Sequence, residues 1–241
     1  MIYPRILACR ACKSTELLPV LSLGDTPLAN SLVKAEQLKK SEPRYPLDLA
    51  FCNQCTLLQI TATVPPDVLF LEYLYFSSFS DTMLSHAKTL VESIIKKRKL
   101  SNESLAVEIA SNDGYLLQHY KSANVPVLGI EPALNIARVA IEERGIRTIS
   151  EFFTYDLAQQ LRSEGLTADV IHANNVLAHV PDLNGFLTGV SLLLKDDAVA
   201  IFELDFAGRL AVVDGRGLLA GDVLELRFQL DFHRPIATRI D

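Results

Sequence analysis

The segment "LAVEIASNDGYLLQHY", residues 105–120, decides how the rest of the sequence is interpreted. An apolar strand leads into a short polar turn and then into a helical pattern, which is how nucleotide- and nucleoside-binding βα units begin. In a glycine-rich E-x-G-x-G-x-G turn, the three glycines would fall at Ala110, Asn112 and Gly114. Alanine is the next smallest residue, and asparagine is among the few that tolerate positive φ. The segment therefore predicts a working turn that brings the backbone close to a ligand.

Short apolar runs alternate with helical patterns over the region that follows. Five of these runs are predicted as strands, separated by about 10 to 20 residues each, which is typical of α/β proteins: "LAVEIA", "VPVLGIE", "IRTIS", "ADVIHANN" and "AVAIFEL". The expected fold class is therefore α/β with a doubly wound parallel sheet. Ligands of such sheets bind at the carboxyl ends of the strands.

Glu131 closes the second predicted strand, some 20 residues after the turn begins. A carboxylate at this position can accept hydrogen bonds from both hydroxyls of a ribose. The competing interpretation is structural: Glu131 is then only a polar residue before Pro132, where a helix begins. The correctly placed upstream turn favours the ribose interpretation.

Two acidic residues near the turn indicate which cofactor it binds. Asp113 is expected at the helix start and Glu108 beside the turn, where carboxylates would repel the pyrophosphate of a dinucleotide. S-adenosylmethionine (SAM) carries an ammonium and a sulfonium group instead. The charge pattern therefore favours SAM over a dinucleotide.

The four cysteines all lie in C-x-x-C pairs, Cys9 with Cys12 and Cys52 with Cys55. Two such turns can supply the tetrahedral sulfur shell of a zinc ion, with no position left open for substrate or water. Two disulfides are disfavoured because a chain without an export signal meets a reducing compartment. A redox function is also disfavoured, because a thioredoxin-like C-x-x-C would follow a strand in a βαβ unit. Structural zinc is the prediction.

Composition and sequence breaks predict the organisation of the chain. The 241 residues, 49% of them hydrophobic, suffice for one large or two small domains. We expect no membrane association, no signal peptide and a cytoplasmic location, and the net charge of −6 disfavours nucleic acid as a partner. Four segments are predicted: a zinc-binding module (1–65), an aromatic segment and helix covering the cofactor site (66–100), a SAM-binding Rossmann-like domain (101–204) and a divergent tail (205–241).

Several motifs together resemble the zinc-containing, SAM-dependent sugar C-methyltransferases that act on nucleotide-linked deoxysugars. Besides the cysteine pairs they are, in family order, "LGDTPLAN", "YLYFSSFSDTMLSHA", "VEIASNDG", "GIEPALNIA", "SEFF", "NNVLAHVPDL" and "AIFE". The resemblance covers about residues 9 to 204. It implies a class I methyltransferase fold, zinc and SAM as cofactors, and a nucleotide-linked keto-deoxysugar as substrate.

The resemblance also implies roles for individual residues. The cysteines match the zinc ligands, residues of the 110–114 turn match the SAM turn, and Glu131 matches the ribose carboxylate. The set also includes an acid and a backbone amide that contact the adenine, and two residues beside the methyl group. A segment that covers the cofactor and a histidine near the substrate complete it. The implied residues are Cys9, Cys12, Cys52 and Cys55 for zinc; Tyr75, Ser78, Ala110, Asn112, Asp113, Gly114, Glu131, Glu151, Phe152, Asn174 and Asn175 for SAM; and His179 for catalysis. For His179, a structural role as a polar helix-start residue is equally compatible with the sequence.

Two departures from the family pattern lead to further expectations. The family usually has glycine at the position of Ala110, so the added methyl group is expected to weaken SAM binding modestly. After "AIFEL" the family continues with a Tyr-x-Glu-His element that is expected to supply the catalytic base, and then with a sugar-binding half. Residues 205–241 align with neither, and His233 lacks the Tyr and Glu neighbours.

The sequence therefore predicts a truncated or frame-shifted chain that binds SAM and transfers methyl groups poorly or not at all. The edge of the fifth strand is expected to lack its usual cover, which favours self-association. The alternative function, from a different class, is a non-catalytic SAM- or zinc-binding protein that acts through partners.

Overall fold

The computed structural model describes residues 6–29, 31–71, 73–204, 209–214 and 217–218, and it contains two sheets. The ten strands are β1 (Leu17–Thr26), β2 (Tyr45–Cys52), β3 (Leu58–Ile60), β4 (Ala106–Ile109), β5 (Val127–Ile130), β6 (Thr148–Ile149), β7 (Ala168–Asn174), β8 (Leu194–Leu204), β9 (Arg209–Asp214) and β10 (Gly217–Leu218). The six α-helices are α1 (Pro66–Phe70), α2 (Asp81–Arg98), α3 (Leu117–Ser122), α4 (Leu134–Glu142), α5 (Tyr155–Ser163) and α6 (Leu183–Leu193). Two 3₁₀ turns span Ala35–Gln37 and Ser77–Phe79.

The larger sheet has the strand order β10-β9-β8-β7-β4-β5-β6. Strands β4 to β8 pair with one another in parallel, as predicted, in the order β8-β7-β4-β5-β6. The chain runs outward from β4 to β6 and then returns to β7 on the other side of β4. In doubly wound sheets this reversal opens a crevice at the carboxyl ends of the strands, where ligands bind.

The edge of β8 is covered, contrary to the expectation of an open edge. β9 pairs with it in antiparallel register, from Val199 opposite Asp214 to Leu204 opposite Arg209, and β10 pairs with β9. An antiparallel strand needs only a short connection, so the residues after "AIFEL" can fold back on β8. His233 lies outside the described residues.

Hydrophobic side chains cover both faces of this sheet. Val107 and Ile109 of β4 pack on the side of α5 and α6, whereas Ala106 packs on the side of α2 and α3. Helix α2 has the apolar face that its sequence predicts, with Ala87, Val91 and Ile94 buried. None of the helices in the described ranges is long and apolar enough to cross a membrane.

The smaller sheet is antiparallel, with the order β1-β2-β3. It belongs to the N-terminal part of the chain, where prolines separate the short elements. Cys52 is the last residue of β2, so the second C-x-x-C turn begins where that strand ends. The sheet thereby fixes one half of the predicted metal site.

Gly129 on β5 lets the 110–114 turn pack directly on the sheet. An ideal Cβ at this position would lie 2.5 Å from the Ser111 Oγ and 3.0 Å from the Thr148 Oγ1. We expect Gly129→Ala to lower the free energy of unfolding by about 1–3 kcal/mol, because overpacking a close contact forces its neighbours to shift. Urea unfolding followed by circular dichroism measures this change.

Ser111→Ala is the matched control, because the buried Ser111 hydroxyl has no hydrogen-bond partner among the described residues. The single variant should unfold close to wild type, and the double variant should recover part of the loss caused by Gly129→Ala. Wild-type stability in Gly129→Ala would show that the turn does not pack on β5 in this way.

Candidate functional site

The four cysteine sulfurs lie together, as predicted. All four Sγ atoms lie within 4.8 Å of one another, and the pairs Cys9–Cys55 and Cys12–Cys52 are each 3.5 Å apart. A tetrahedral site with Zn–S bonds of about 2.3 Å places its sulfurs roughly 3.8 Å apart, whereas a disulfide requires about 2.05 Å. The observed spacing therefore fits a closed four-sulfur zinc site and does not fit disulfides.

The two C-x-x-C turns have the same local conformation. The residue after each second cysteine, Lys13 or Thr56, has φ of +63° and donates its N–H to the carbonyl of the first cysteine. Burial disfavours the thiolate of Cys52, but hydrogen bonds from the backbone of Cys55 and Gln54 lower its pKa to about 7. A thiolate near neutral pH is the form that binds a metal.

The backbone of the 110–114 turn is left-handed at the three positions where a glycine-rich turn would have glycine. Ala110, Asn112 and Gly114 have φ values of +53°, +49° and +79°. A left-handed conformation costs a residue such as alanine roughly 1–2 kcal/mol. Strain of this kind is typical of sites where the backbone must approach a ligand.

Glu131 lies at the end of β5 and holds this turn in place. Its Oε2 accepts a hydrogen bond from the Asn112 N–H and its Oε1 accepts one from the Ala133 N–H, both 2.9 Å long. Burial raises the pKa of Glu131 above its ordinary value, although these two hydrogen bonds act in the opposite direction. Each carboxylate oxygen has a second lone pair, so the group can also accept hydrogen bonds from a ligand.

Asp113 does not carry the free negative charge that the sequence suggested. Helix α3 begins only at Leu117, so Asp113 lies within the turn and not at the helix start. Its Oδ2 accepts hydrogen bonds from the Ser78 hydroxyl and from the Arg144 guanidinium, 3.2 Å away. Its Oδ1 is buried without a partner among the described residues.

Arg144, which sequence reasoning missed, follows α4 and forms an ion pair with this carboxylate. No local pattern marks it, because its contact with Asp113 spans 31 residues.

Residues 73–78, the predicted covering segment, lie against the turn. The Ser77 N–H donates to the Asn112 Oδ1 at 2.8 Å, and the Asn112 Nδ2 donates to the Tyr75 carbonyl at 3.0 Å. Farther along, the Asn135 Nδ2 donates to the Tyr73 carbonyl at 2.7 Å. The Tyr75 side chain is half exposed. The segment therefore binds the turn mainly through its backbone and leaves aromatic surface free.

A buried polar layer lies beneath the carboxyl ends of β4, β7 and β8. Burial, followed by repulsion from Glu131 and Asp113, raises the pKa of Glu108 well above its ordinary value. The protonated form of Glu108 is therefore favoured, and the residue repels an anion less than the sequence implied. The Asn174 Nδ2 donates to the Tyr115 hydroxyl at 3.1 Å.

Near the end of β8, Glu203 lies close to His86 of α2, and sequence reasoning missed both residues. Glu203 lies opposite Asn174 in the sheet, and its carbonyl accepts the Asn175 N–H at 2.7 Å. Its Oε1 is 3.4 Å from the His86 Nε2 on α2. Glu203 could have been found as the acid that ends the fifth strand, whereas His86 lies in an ordinary helical pattern.

The remaining predicted residues lie at the same edge of the sheet. Glu151 and Phe152 follow β6, Glu151 exposed and Phe152 partly buried. His179 is exposed in the loop between β7 and α6, with its ring centroid 6.2 Å from that of Phe70. Since α6 begins only at Leu183, His179 is not a helix-start residue.

Comparison with known proteins gives matches over both parts of the chain. Residues 9–70 match the family model of a zinc binding domain found with methyltransferases, and residues 107–200 match that of a methyltransferase domain. The C-methyltransferase NovU of Streptomyces niveus is 34% identical over 198 residues, which are 82% of this chain and 47% of NovU. The chain thus spans about half the length of this curated relative.

Solved methyltransferase structures resemble part of the chain at low identity. The SAM-bound amino pentose methyltransferase CalS10 of Micromonospora echinaspora is 17% identical, with 55% of this chain and 58% of CalS10 covered and a TM-score of 0.41. A SAM-dependent methyltransferase of Archaeoglobus fulgidus is 15% identical, with 49% and 52% covered and a TM-score of 0.39. The two family matches, together with the geometry above, show that this chain combines a zinc-binding domain with a methyltransferase domain.

Proposed function

We propose that this chain binds SAM at the 110–114 turn and serves the C-methylation of a nucleotide-linked keto-deoxysugar. The observation that carries the proposal is the left-handed turn with a carboxylate, that of Glu131, beneath it at the end of the adjacent strand. The match to NovU supports C-methylation as the reaction class. The nucleotide-linked sugar follows from the motif resemblance.

The positions of the site residues suggest how SAM would be held. Glu131 would accept hydrogen bonds from the ribose hydroxyls, and Glu151 with the backbone N–H of Phe152 would contact the adenine. Asn174 and Asn175 would lie beside the methyl group. The segment with Tyr75 and Ser78 would cover the cofactor.

Charge also favours SAM over a dinucleotide, for a different reason than the sequence suggested. Arg144 is engaged by Asp113 and therefore offers a pyrophosphate little positive charge. The partly buried Glu203 adds an acidic group at the same edge. A cationic sulfonium suits this environment better than a diphosphate does.

The proposed reaction requires a base at the carboxyl edge of the sheet. Bound SAM would supply an electrophilic methyl group on sulfur. A base of this chain would remove the proton from the carbon next to the substrate ketone and so make that carbon nucleophilic toward the methyl group. His179 is the proposed base of this chain, because the motif resemblance implies a histidine near the substrate at this position and the residue lies exposed on the loop after β7.

The zinc site would stabilise the fold and take no part in the chemistry. Its four sulfurs fill the tetrahedral shell and leave no position for water or substrate. Metal-bound thiolates require a reducing compartment, and we therefore also propose a cytoplasmic location.

Zinc content tests the metal assignment. We expect about one zinc per chain by elemental analysis of protein purified without chelator. Cys52→Ser should lower the zinc content and destabilise the N-terminal 65 residues, because a hydroxyl is a poor replacement for a thiolate ligand. Intact disulfides and no metal in protein from reducing cytoplasm would contradict the assignment.

Calorimetric titration with SAM and with NAD tests the cofactor assignment. SAM should bind and NAD should not. Loss of a charged acceptor typically costs about 1.5–3 kcal/mol, so Glu131→Ala should weaken SAM binding roughly 10- to 100-fold. Glu164→Ala is the control, because this exposed residue follows α5 and bonds only to Gln160 among the described side chains. An unchanged SAM affinity in a folded Glu131→Ala variant would refute the ribose role.

Transfer of labelled methyl groups to a panel of nucleotide-linked 4-keto deoxysugars separates the enzyme from a non-catalytic binding protein. With His179 as base and no recognisable Tyr-x-Glu-His element in residues 205–241, we expect SAM binding with slow turnover. His179→Gln should abolish what turnover remains and leave SAM affinity unchanged. Turnover of about 1 s⁻¹ or faster would contradict the expected slow transfer, and turnover that survives in His179→Gln would show that another group is the base.

A further inference from the structure

The N-terminal end of α6 contacts the zinc-binding module directly. The Asn184 Nδ2 donates a hydrogen bond of 2.9 Å to the carbonyl of Ala11, a contact across 173 residues. Ala11 lies between the first two zinc-site cysteines and is buried. The partner of Asn184 is therefore part of the first C-x-x-C turn itself.

Leu183, the first residue of α6, joins the two hydrophobic cores. It packs against the cluster formed by Cys9, Ala11, Cys52 and Cys55, and it also packs against the core on the α5 and α6 side of the large sheet. A side chain shared by two cores transmits a displacement of one to the other, since packed interiors leave little free space.

Residues 175–182, here called the β7–α6 loop, are short and fixed at both ends. The loop begins after Asn174, which donates to the Tyr115 hydroxyl. It ends at Asp182, whose side chain caps α6 by accepting the Gly185 N–H at 3.1 Å. Between these ends, the His179 ring lies against Phe70 of α1, the helix that follows the N-terminal module. The loop therefore meets the N-terminal part of the chain at His179 and at the start of α6.

We propose that the zinc-binding module supports the β7–α6 loop, with Leu183 and Asn184 as positioning residues for the methyl-transfer site. The structural role of the zinc site then extends beyond its own module, because order at the C-x-x-C turns fixes Asn175 and His179 at the carboxyl edge of the sheet. Misplacement of a reacting group by about 1 Å can cost about 100-fold in rate. The catalytic part of this inference rests on the proposed function, whereas the support of the loop does not.

Amide hydrogen exchange by mass spectrometry tests the support directly and needs no activity. The protein is compared with Asn184→Ala, Leu183→Ala and the control Thr188→Ala. The control residue lies on the same helix, and among the described residues its hydroxyl bonds only to the Asn184 carbonyl of that helix. Zinc content and SAM affinity are measured on the same samples.

For Asn184→Ala, we expect exchange in 175–182 to be roughly 2- to 10-fold faster, the factor that corresponds to one ordinary hydrogen bond. Zinc content and exchange in β4 and β5 should stay as in the wild type, and Thr188→Ala should match the wild type throughout. Removal of zinc from the wild type by a chelator should also accelerate exchange in 175–182 while β4 and β5 remain protected.

The inference is wrong if Asn184→Ala and zinc removal both leave exchange in 175–182 unchanged, or if either accelerates exchange equally in 175–182 and in β4 and β5. If Leu183→Ala fails to fold, Asn184→Ala and zinc removal still test whether the zinc-binding module supports the loop. A failure of SAM to bind would overturn the proposed function and leave the exchange result interpretable.

Discussion

The carboxylate of Glu131 is the constraint on which the candidate site depends. It accepts two backbone hydrogen bonds of 2.9 Å, one from the turn at Asn112 and one from the start of α4 at Ala133. A buried carboxylate is costly unless it is hydrogen-bonded, so these two donors must stay where they are. The left-handed conformations at Ala110 and Asn112 persist because the surrounding structure fixes them in this way.

The other parts of the site are built on this turn. The Asn112 side chain holds the backbone of residues 75–77, and Asp113 joins Ser78 to Arg144. The covering segment comes from the chain that leaves the N-terminal module, and α6, which follows the β7–α6 loop, contacts that module through Asn184. The site is thus assembled from three regions that are distant in sequence.

Features that depend on local chemistry could be predicted from the sequence. The cysteine spacing predicted the four-sulfur cluster, and the apolar runs predicted the five parallel strands. The turn was predicted from residues that are small or that tolerate a left-handed backbone. The roles of individual residues in binding and catalysis remain predictions, because the geometry shows where they lie and not what they bind.

Features that depend on long-range pairing could not be predicted. Arg144 follows a helix without any distinguishing pattern, and its ion pair with Asp113 changes the electrostatic argument for the cofactor. The pairing of β9 with β8 escaped prediction because the resemblance ends there, although "RLAVVD" is a plain apolar run. The raised pKa of Glu108 also follows from burial, which only the folded chain reveals.

A crystal structure of the protein with bound S-adenosylhomocysteine tests the central claim most directly. The account predicts that the ribose hydroxyls lie within about 2.6–3.2 Å of the Glu131 carboxylate, with Ala110, Asn112 and Gly114 still at positive φ beneath the ligand. A ligand bound elsewhere, or a ribose without contact to Glu131, would contradict it.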